Sequence, residues 1–407
     1  MYQDFPFTIR EVTDLLGLHI RHKNAVSLDA DCPFCDGKGK LNINFPKNVF
    51  KCNRCGENGG MLALYGKIYN VDTKTAYSGI LEALERNEKA PTYEVKQREV
   101  KAKEPEIITL PHASLDVCHK TYSKLLELLS LSDHHREALL KRGFTLEQIE
   151  ANGYKSTPVF GLKRISRKLL EAGCVLKGVP GFYVDDEDGV WTMCFKQKTA
   201  GFVVPVRNID GMILGMQIRV DHLYNGGKYI WFSSTNYNYG ASSGSPVHLA
   251  GKPGAKVLFV TEGPLKGDLA HAISGRTFGC VAGVNQYGNL PVFLSEMKEC
   301  GTESIYEAYD MDKLTRTVCR GDYNEKCASC LYHKKWQEQE IICEKKVVKR
   351  NNIQRGCNNL SEVCKKLGLP CKRLTWDMDE NGEWAEQMKG VDDYLVDLEQ
   401  KKTKRIK

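Results

Sequence analysis

The sequence has neither a long apolar run nor a signal-peptide core. No uninterrupted apolar run approaches the ~20 residues that span a bilayer, and the N-terminus, MYQDFPFTIR, has no signal-peptide core. Both absences lead us to expect a cytoplasmic protein without a membrane partner. No G-x-x-x-x-G-K-[ST] occurs in the sequence, so a fused P-loop helicase motor is not expected. Neither sign of charge dominates: 58 Lys and Arg face 51 Asp and Glu, and the net charge of +7 is only a mild pointer to a polyanionic partner. Cysteine is what the chain does not lack. Sixteen cysteines in 407 residues, several in C-x-x-C pairs and without an export signal, speak for metal binding in a reducing compartment rather than for disulfides. A hydrophobic share of 42% and a charged share of 27% are ordinary for a globular chain with room for two or three domains.

The most specific signal begins at Asp31, in DCPFCDGKGKLNINFPKNVFKCNRCGENGGMLALYG. Cys32 and Cys35 form one knuckle and Cys52 and Cys55 another, with sixteen residues between them, which is structural zinc-ribbon spacing. Four thiolates fill a tetrahedral zinc shell and leave no position for catalysis. Leu41, Ile43 and Phe45 alternate with polar residues, as do Val49 and Lys51, so a hairpin turning at residues 46–48 is expected. Zinc ribbons also serve purely as structural staples. Here Lys38, Lys40, Lys47, Lys51 and Arg54 outnumber Asp31 and Asp36, and Phe34, Phe45 and Phe50 supply stacking faces, the mixture that holds single-stranded nucleic acid.

Ahead of the ribbon, residues 8–18 carry Ile9, Val12, Leu15 and Leu16 at helical spacing. Behind it, residues 87–106 are charged, Pro-punctuated and poor in apolar side chains, and read as a tether. Ser132 and Asp133 offer caps for a helix ending at Gly143, and Thr145 with Gln148 forms a capping box for the next. GFVVPVRNIDGMILGMQIRV then places apolar strands on either side of a turn at residues 208–211, ahead of GGKYIWFSS. Arg207, Arg219 and Lys228 punctuate this β-rich part; taken singly, such residues usually lie on solvated faces.

The organising stretch runs from Lys256 to Asp312. Val257 to Val260 reads as a buried strand that delivers Glu262 to its carboxyl end, beside Gly263 and Pro264 and ahead of a helical pattern from Leu265 to Ile273. A second run, Ser304 to Tyr309, delivers Asp310 and Asp312 in the same way. In an open α/β sheet, ligands collect beyond the carboxyl ends of strands, and three carboxylates there would suit a hard divalent cation such as Mg²⁺. Acidic residues at strand ends are also common as caps, so the Asp-x-Asp alone says little. TFGCV reads as another strand, residues 292–298 as a helix, and Leu367-Gly368-Leu369-Pro370 as a helix end before a strand at residues 372–376.

The strand-Glu-Gly and strand-Asp-x-Asp pair resembles the Toprim domain of primases, topoisomerases and some nucleases. The ribbon resembles the zinc-binding domain of bacterial DnaG-type primases in Cys32-Pro33-Phe34, Phe50-Lys51-Cys52, Cys55-Gly56 and Gly59-Gly60; Cys35 departs, since that family more usually has His there. Arg207, Arg219 and Lys228 match basic positions of the N-terminal half of the primase core, with a departure at residues 231–234. KGVDDYLVD matches an acidic segment in which Asp392 takes the place of the second aspartate and Gly390 replaces the first. Lys266 stands where primases carry an Asp, with Asp268 close by on another bearing; it is a candidate to neutralise a phosphate.

The expected fold class is therefore multidomain α+β and α/β: a zinc-ribbon domain at 1–86, a linker at 87–108, a basic mixed α/β N-terminal subdomain of a primase core at 109–254, a Toprim domain at 255–400 and a basic tail at 401–407. A Cys-rich insertion at 313–345 holds Cys319, Cys327, Cys330 and Cys343, whose spacing permits a second zinc site, with His333 as a substitute ligand; stray cysteines elsewhere make coincidence the competing reading. The resemblance implies a DNA primase, a mobile-element enzyme in type, that makes short RNA primers on a single-stranded DNA template from nucleoside triphosphates. Glu262, Asp310, Asp312 and Asp392 would be catalytic around Mg²⁺ or Mn²⁺, with Arg207, Arg219, Lys228 and Lys266 on template or nucleotide. A separate replicative helicase is an expected partner. Two alternatives stay open: a Toprim-type metal-dependent nuclease, and a non-catalytic single-strand-binding replication protein, the latter prompted by Lys266 and Gly390.

Overall fold

The computed structural model describes residues 5–24, 26–85, 108–224, 227–319, 327 and 341–406. The chain divides into two compact units, Met1–Pro105 and Glu106–Lys407. The first contains α1 (Ile9–Leu16), β1 (Ile20–Lys23), β2 (Ser27–Ala30), β3 (Leu41–Asn44), β4 (Val49–Cys52), β5 (Asn58–Gly60), α2 (Met61–Tyr69) and α3 (Thr73–Glu85). Thr8 and Glu11 close a capping box on α1, and Gly17 ends the helix in a left-handed conformation. The five strands make one antiparallel sheet in chain order, with β3 and β4 as the expected hairpin, Ile43 opposite Phe50 and Leu41 opposite Cys52. Ile9, Val12, Leu28, Leu41, Ile43, Phe50, Leu64 and Ile80 pack into one core that also buries Cys32 and Cys52. The linker expected at 87–108 lies, except for its last residue, outside the described residues.

The second unit opens with α4 (Leu115–Leu128), α5 (Asp133–Arg142), α6 (Leu146–Asn152), β6 (Lys155–Ser156), α7 (Leu162–Glu171), β7 (Phe182–Val184), β8 (Trp191–Met193), β9 (Gly201–Arg207), β10 (Ile213–Tyr224) and β11 (Gly227–Trp231). Ser132 caps α5, Gly143 closes it, and Thr145 with Gln148 makes the capping box of α6. Strands β11, β10, β9 and β6 form an antiparallel sheet in that order. One face of it buries Val203, Met216 and Ile218 against Tyr122, Leu125 and Leu169 from the helices.

There follow β12 (His248–Ala250), β13 (Val257–Glu262), α8 (Pro264–Ser274), β14 (Thr277–Val281), α9 (Leu290–Glu299), β15 (Ser304–Glu307), α10 (Glu344–Leu367), β16 (Cys371–Arg373) and α11 (Val391–Ile406). The sheet order is β12-β14-β13-β15-β16, parallel throughout except for the antiparallel edge strand β12. From β13 the chain passes through α8 to one neighbour, β14, then through α9 to the other, β15, so strand order reverses between β13 and β15. That reversal leaves a crevice beyond their carboxyl ends, the place where α/β sheets bind ligands. Along β13, Leu258 and Val260 pack with Leu290, Phe293 and Leu360 on one face, while Phe259 packs with Ala270 and Trp376 on the other. A shared cluster of Phe144, Tyr154, Phe202 and Val204 with Leu265 and Leu269 joins the antiparallel sheet to α8. Burying each of those leucines contributes about 1.5–3 kcal/mol, which fixes the helix that follows Glu262.

Candidate active site and zinc centre

The four cysteines of the ribbon come together as their spacing requires. Cys32 and Cys35 leave β2, Cys52 ends β4 and Cys55 follows it, and all four sulfurs lie within 4.8 Å of one another. The Cys32–Cys55 and Cys35–Cys52 separations are 3.8 and 3.7 Å. Four Zn–S bonds of about 2.3 Å in a tetrahedron place sulfurs about 3.8 Å apart, so the residues present fit zinc without rearrangement. The backbone amides of Arg54 and Cys55 donate to Cys52 Sγ at 3.3 and 3.4 Å. Burial pushes the Cys52 thiol up, but those amides and the neighbouring thiols outweigh it and pull the group down to about 6, favouring the thiolate that zinc needs.

In the second unit β13 ends at Glu262, and the next residue has to reverse into α8. Gly263 does so at φ 86°, where a side chain would be strained, and its N–H donates to Val281 O at 2.7 Å. Pro264 then opens the helix at a position where its missing N–H is no loss. Across the crevice, Ala308 N–H donates to Val260 O at 2.8 Å and extends the pairing of β15 to within two residues of Asp310. Asp310 and Asp312 are 3% and 1% exposed. Glu262 is half-buried; desolvation, then the Asp310 carboxylate beside it, raises its carboxyl to about 7. Asp310 goes the other way: burial opposes its ionisation, but Lys266 and Lys389 more than compensate and hold it below the usual carboxylate range.

Lysines are interleaved with these carboxylates. Lys266, from the first turn of α8, contacts Asp310 Oδ1 directly. Lys389 Nζ lies 3.2 Å from Asp310 Oδ2 and 3.1 Å from Asp312 Oδ2, held there by Met311 N–H donating to Lys389 O at 3.0 Å. Lys349 Nζ, from α10, is 2.6 Å from Asp312 Oδ2. Burial lowers the Lys266 ammonium, but Asp310 and Glu262 overcome it and keep it charged. Among the described residues the sets of three or more donors that close within 4.8 Å are the four cysteines and His134, His135 and Asp221; the carboxylates of Glu262, Asp310 and Asp312 stand wider. Asp312 Oδ1 is buried without a hydrogen-bond partner among the described residues, which an oxygen-seeking cation would correct. The donor set therefore fits Mg²⁺ or Mn²⁺, with ammonium groups neutralising the carboxylates in the meantime.

Asp392 sits apart from that trio. It is 1% exposed and accepts from Arg142 Nη2 at 2.7 Å, tying the start of α11 to the end of α5. Gly390 explains its own presence, since a Cβ there would lie 2.3 Å from Asp392 Oδ1 and 3.3 Å from Lys266 Cε. Asp268, on the buried side of α8, accepts from Tyr154 Oη at 2.7 Å and His248 Nε2 at 2.8 Å and so serves the packing between the sheets. His248 Nδ1 accepts the Arg207 N–H at 3.0 Å, which fixes the ring with its proton on Nε2.

Of the basic trio, Arg207 at the end of β9 donates from its guanidinium to Gly211 O and Asn152 O at 3.3 and 3.4 Å, which makes it a brace for the turn after β9. Arg219 lies over the Phe202 ring at 5.7 Å, and Lys228 on β11 is exposed. Sequence reasoning missed Arg142, Lys349 and Lys389 as members of the site. It also missed the buried Glu307, which accepts from the buried Lys313 Nζ and from Nε of the exposed Arg373, both at 2.7 Å. Of the second cysteine set, Cys319 N–H donates to Ile341 O and Cys343 N–H to Thr317 O, both at 2.7 Å, which pairs the two ends of the insertion. Cys330 and His333 lie outside the described residues.

Solved primase structures align with this chain. The zinc-binding and RNA polymerase domains of the Aquifex aeolicus primase do so over 89% of this chain and 97% of that one, at 16% identity and a TM-score of 0.36. The RNA polymerase domain of Mycobacterium tuberculosis primase DnaG, solved with a double-stranded DNA bearing a 6-nucleotide overhang, covers 63% and 99% at 13% identity and 0.39. The E. coli primase catalytic core covers 63% and 92% at 14% identity and 0.33. Likenesses at this level carry no functional weight, and what the chain does has to be reasoned from its own residues. No protein-family model and no curated protein matches it.

Proposed function

We propose that the chain is a DNA primase, synthesising short RNA primers on single-stranded DNA by metal-assisted nucleotidyl transfer. The observation that carries this reading is the placement of Glu262 and of Asp310 and Asp312 at the carboxyl ends of adjacent parallel strands, across the point where strand order reverses. Glu262, Asp310 and Asp312 would hold Mg²⁺ or Mn²⁺; such ions, when bound, lower the pKa of an attacking 3′-hydroxyl and neutralise charge on the α-phosphate and leaving pyrophosphate. Lys266 and Lys389, paired with Asp310, would be free to neutralise the triphosphate when an ion occupies the carboxylates. Asp392 keeps Arg142 and Lys266 in register and acts as a positioning residue. The ribbon's five basic side chains and its phenylalanines, with Arg219 and Lys228, would grip template through phosphate charge and stacking. A separate helicase would deliver that template.

The test is an extension assay: purified chain, single-stranded DNA, labelled ribonucleotides, and Mg²⁺ or Mn²⁺, beside Glu262→Gln. Short labelled products from the wild type and not from the variant support the reading. Cut template without new strands would replace it with a metal-dependent nuclease. Tight single-strand binding with neither activity would replace it with a binding protein in which Lys266 permanently neutralises Asp310.

A further inference from the structure

His134, His135 and Asp221 lie in the antiparallel half of the second unit and take no part in the reaction proposed above. One ring nitrogen from each histidine and one carboxylate oxygen of Asp221 lie within 4.8 Å of one another. We propose that they form a binding site for one divalent transition ion, Zn²⁺ or Co²⁺ in class, that pins the N-terminus of α5 to β10.

His135 is the fixed ligand. It is 7% exposed, its ring packs on Phe202 with centroids 5.4 Å apart, and its Nε2 lies 2.9 Å from Asp221 Oδ1. Behind it, Nδ1 lies 2.7 Å from Ser156 Oγ and 3.0 Å from Ser132 Oγ, and the two hydroxyls are 3.1 Å apart. Without an ion, a hydroxyl donates to Nδ1 and Nε2–H donates to Asp221. With one, the hydroxyls rotate, Nδ1–H donates to Ser156 Oγ, and the Nε2 lone pair turns to the metal. The change moves one proton and no heavy atom of the ring, and an oxygen acceptor behind the far nitrogen is what orients a metal-binding imidazole, the place Ser156 Oγ would take here.

Asp221 is held at its own backbone, whose N–H donates to Ala200 O at 2.9 Å, while its carboxylate is open to solvent. His134 is exposed, so its ring can swing to close the set. Two imidazoles and one carboxylate suit borderline divalent ions, and metal–ligand bonds of about 2.0–2.2 Å put donors about 3.4 Å apart, a small opening of the His135–Asp221 contact. The positive end of α5 opposes a cation only weakly, little against three ligands, one of them a carboxylate.

The experiment is a Co²⁺ and Zn²⁺ titration of the full-length chain with its ribbon already loaded and Mg²⁺ in saturating excess at the carboxylate site, followed by metal analysis and visible absorption. One equivalent beyond the ribbon's is expected, with the weak d–d bands of nitrogen and oxygen ligands and no thiolate charge transfer. His134→Ala and Asp221→Asn should each weaken that equivalent by about a hundredfold or more, and Ser156→Ala by about tenfold, with the ribbon's ion retained. Both ligand substitutions lie at the surface, and circular dichroism confirms that they fold. No ion beyond the ribbon's under these conditions, or a count of bound ions that both substitutions leave unchanged, would overturn the site.

Discussion

The two metal sites expected from the sequence are built on opposite plans. The ribbon gathers its ligands from 24 consecutive residues, Cys32 to Cys55, and the hairpin between the knuckles sets their geometry. The carboxylate site draws on Glu262, Asp310, Asp312 and Lys389, which are distant in sequence and meet because a buried parallel sheet puts them there. The soft, local site stands at bonding distances, whereas the hard, distant one stands wider and is filled with ammonium groups. A ribbon depends on its metal to exist. A site at the end of a sheet is held by the sheet and can trade its counter-ions.

The sharpest way to break this contrast is to remove the zinc. Cys52→Ala should release one zinc per chain and unfold the five-stranded sheet, because structural zinc supplies about 10–16 kcal/mol of apparent folding free energy in small domains. The second unit should keep its own melting transition. Amide exchange on β3 and β4 decides the matter: protection that survives without metal would mean that the ribbon's core of Leu41, Ile43 and Phe50 is self-sufficient.

Next in size is the catalytic effect. Asp310→Asn removes the negative charge on which Lys266 and Lys389 converge and which the ion would need. Metal assistance contributes several kcal/mol, so primer synthesis should fall on the order of a thousandfold, about 4 kcal/mol. Single-strand affinity, measured by fluorescence anisotropy, should hardly move. Synthesis at near wild-type rate would remove Asp310 from the chemistry.

What the sequence made legible follows the same division. Local chemistry was readable: the capping box at Thr145 and Gln148, the Gly368 stop, the hairpin at residues 46–48 and the strands carrying Glu262 and Asp310 all stand where expected. Strand β1 was not, because all four of its residues are exposed and give no alternation to detect. Neither was Arg142, whose partner Asp392 lies 250 residues further on, nor the fully buried Lys313, whose side chain reads as a surface residue until Glu307 is seen beneath it. Long-range charge pairing leaves no periodicity, so it is invisible until the sheet is assembled.

Gly390 offers a smaller test of how tightly the carboxylate site is packed. Gly390→Ala would put a methyl 2.3 Å from Asp392 Oδ1, and the aspartate would have to leave Arg142. A loss on the order of 2–3 kcal/mol in denaturant unfolding is expected, in the range for strain combined with a weakened buried pair. Arg142→Ala should make the glycine substitution less harmful, since the pair is then already gone; equal losses in both backgrounds would show the two to be independent.

The smallest effect, and the most discriminating, concerns Glu262 itself. Desolvation and the Asp310 carboxylate raise its folded pKa from an ordinary 4.5 to about 7. Below about pH 4.5 the group is protonated in both the folded and the unfolded chain and gives no difference. As pH rises from there, the unfolded chain releases this proton first, and the folded chain ionises the group only near pH 7, so the stability this carboxyl contributes is lost across that window. Glu262→Gln keeps the shape and never ionises, so at pH 8 and without divalent metal the variant should be more stable than wild type, on the order of 2 kcal/mol. That margin should shrink towards zero as pH falls to 5. Adding Mg²⁺ at pH 8 should close it from the other side, because a bound cation favours the ionised carboxylate of the wild type and has less to hold in the variant. Urea unfolding at the two pH values, with and without Mg²⁺, reads all of this from one pair of proteins. A margin that ignores pH would mean that Glu262 is not strained by its neighbours; one that follows pH but ignores Mg²⁺ would mean that the carboxylates at the strand ends are matched to their lysines and not to a metal.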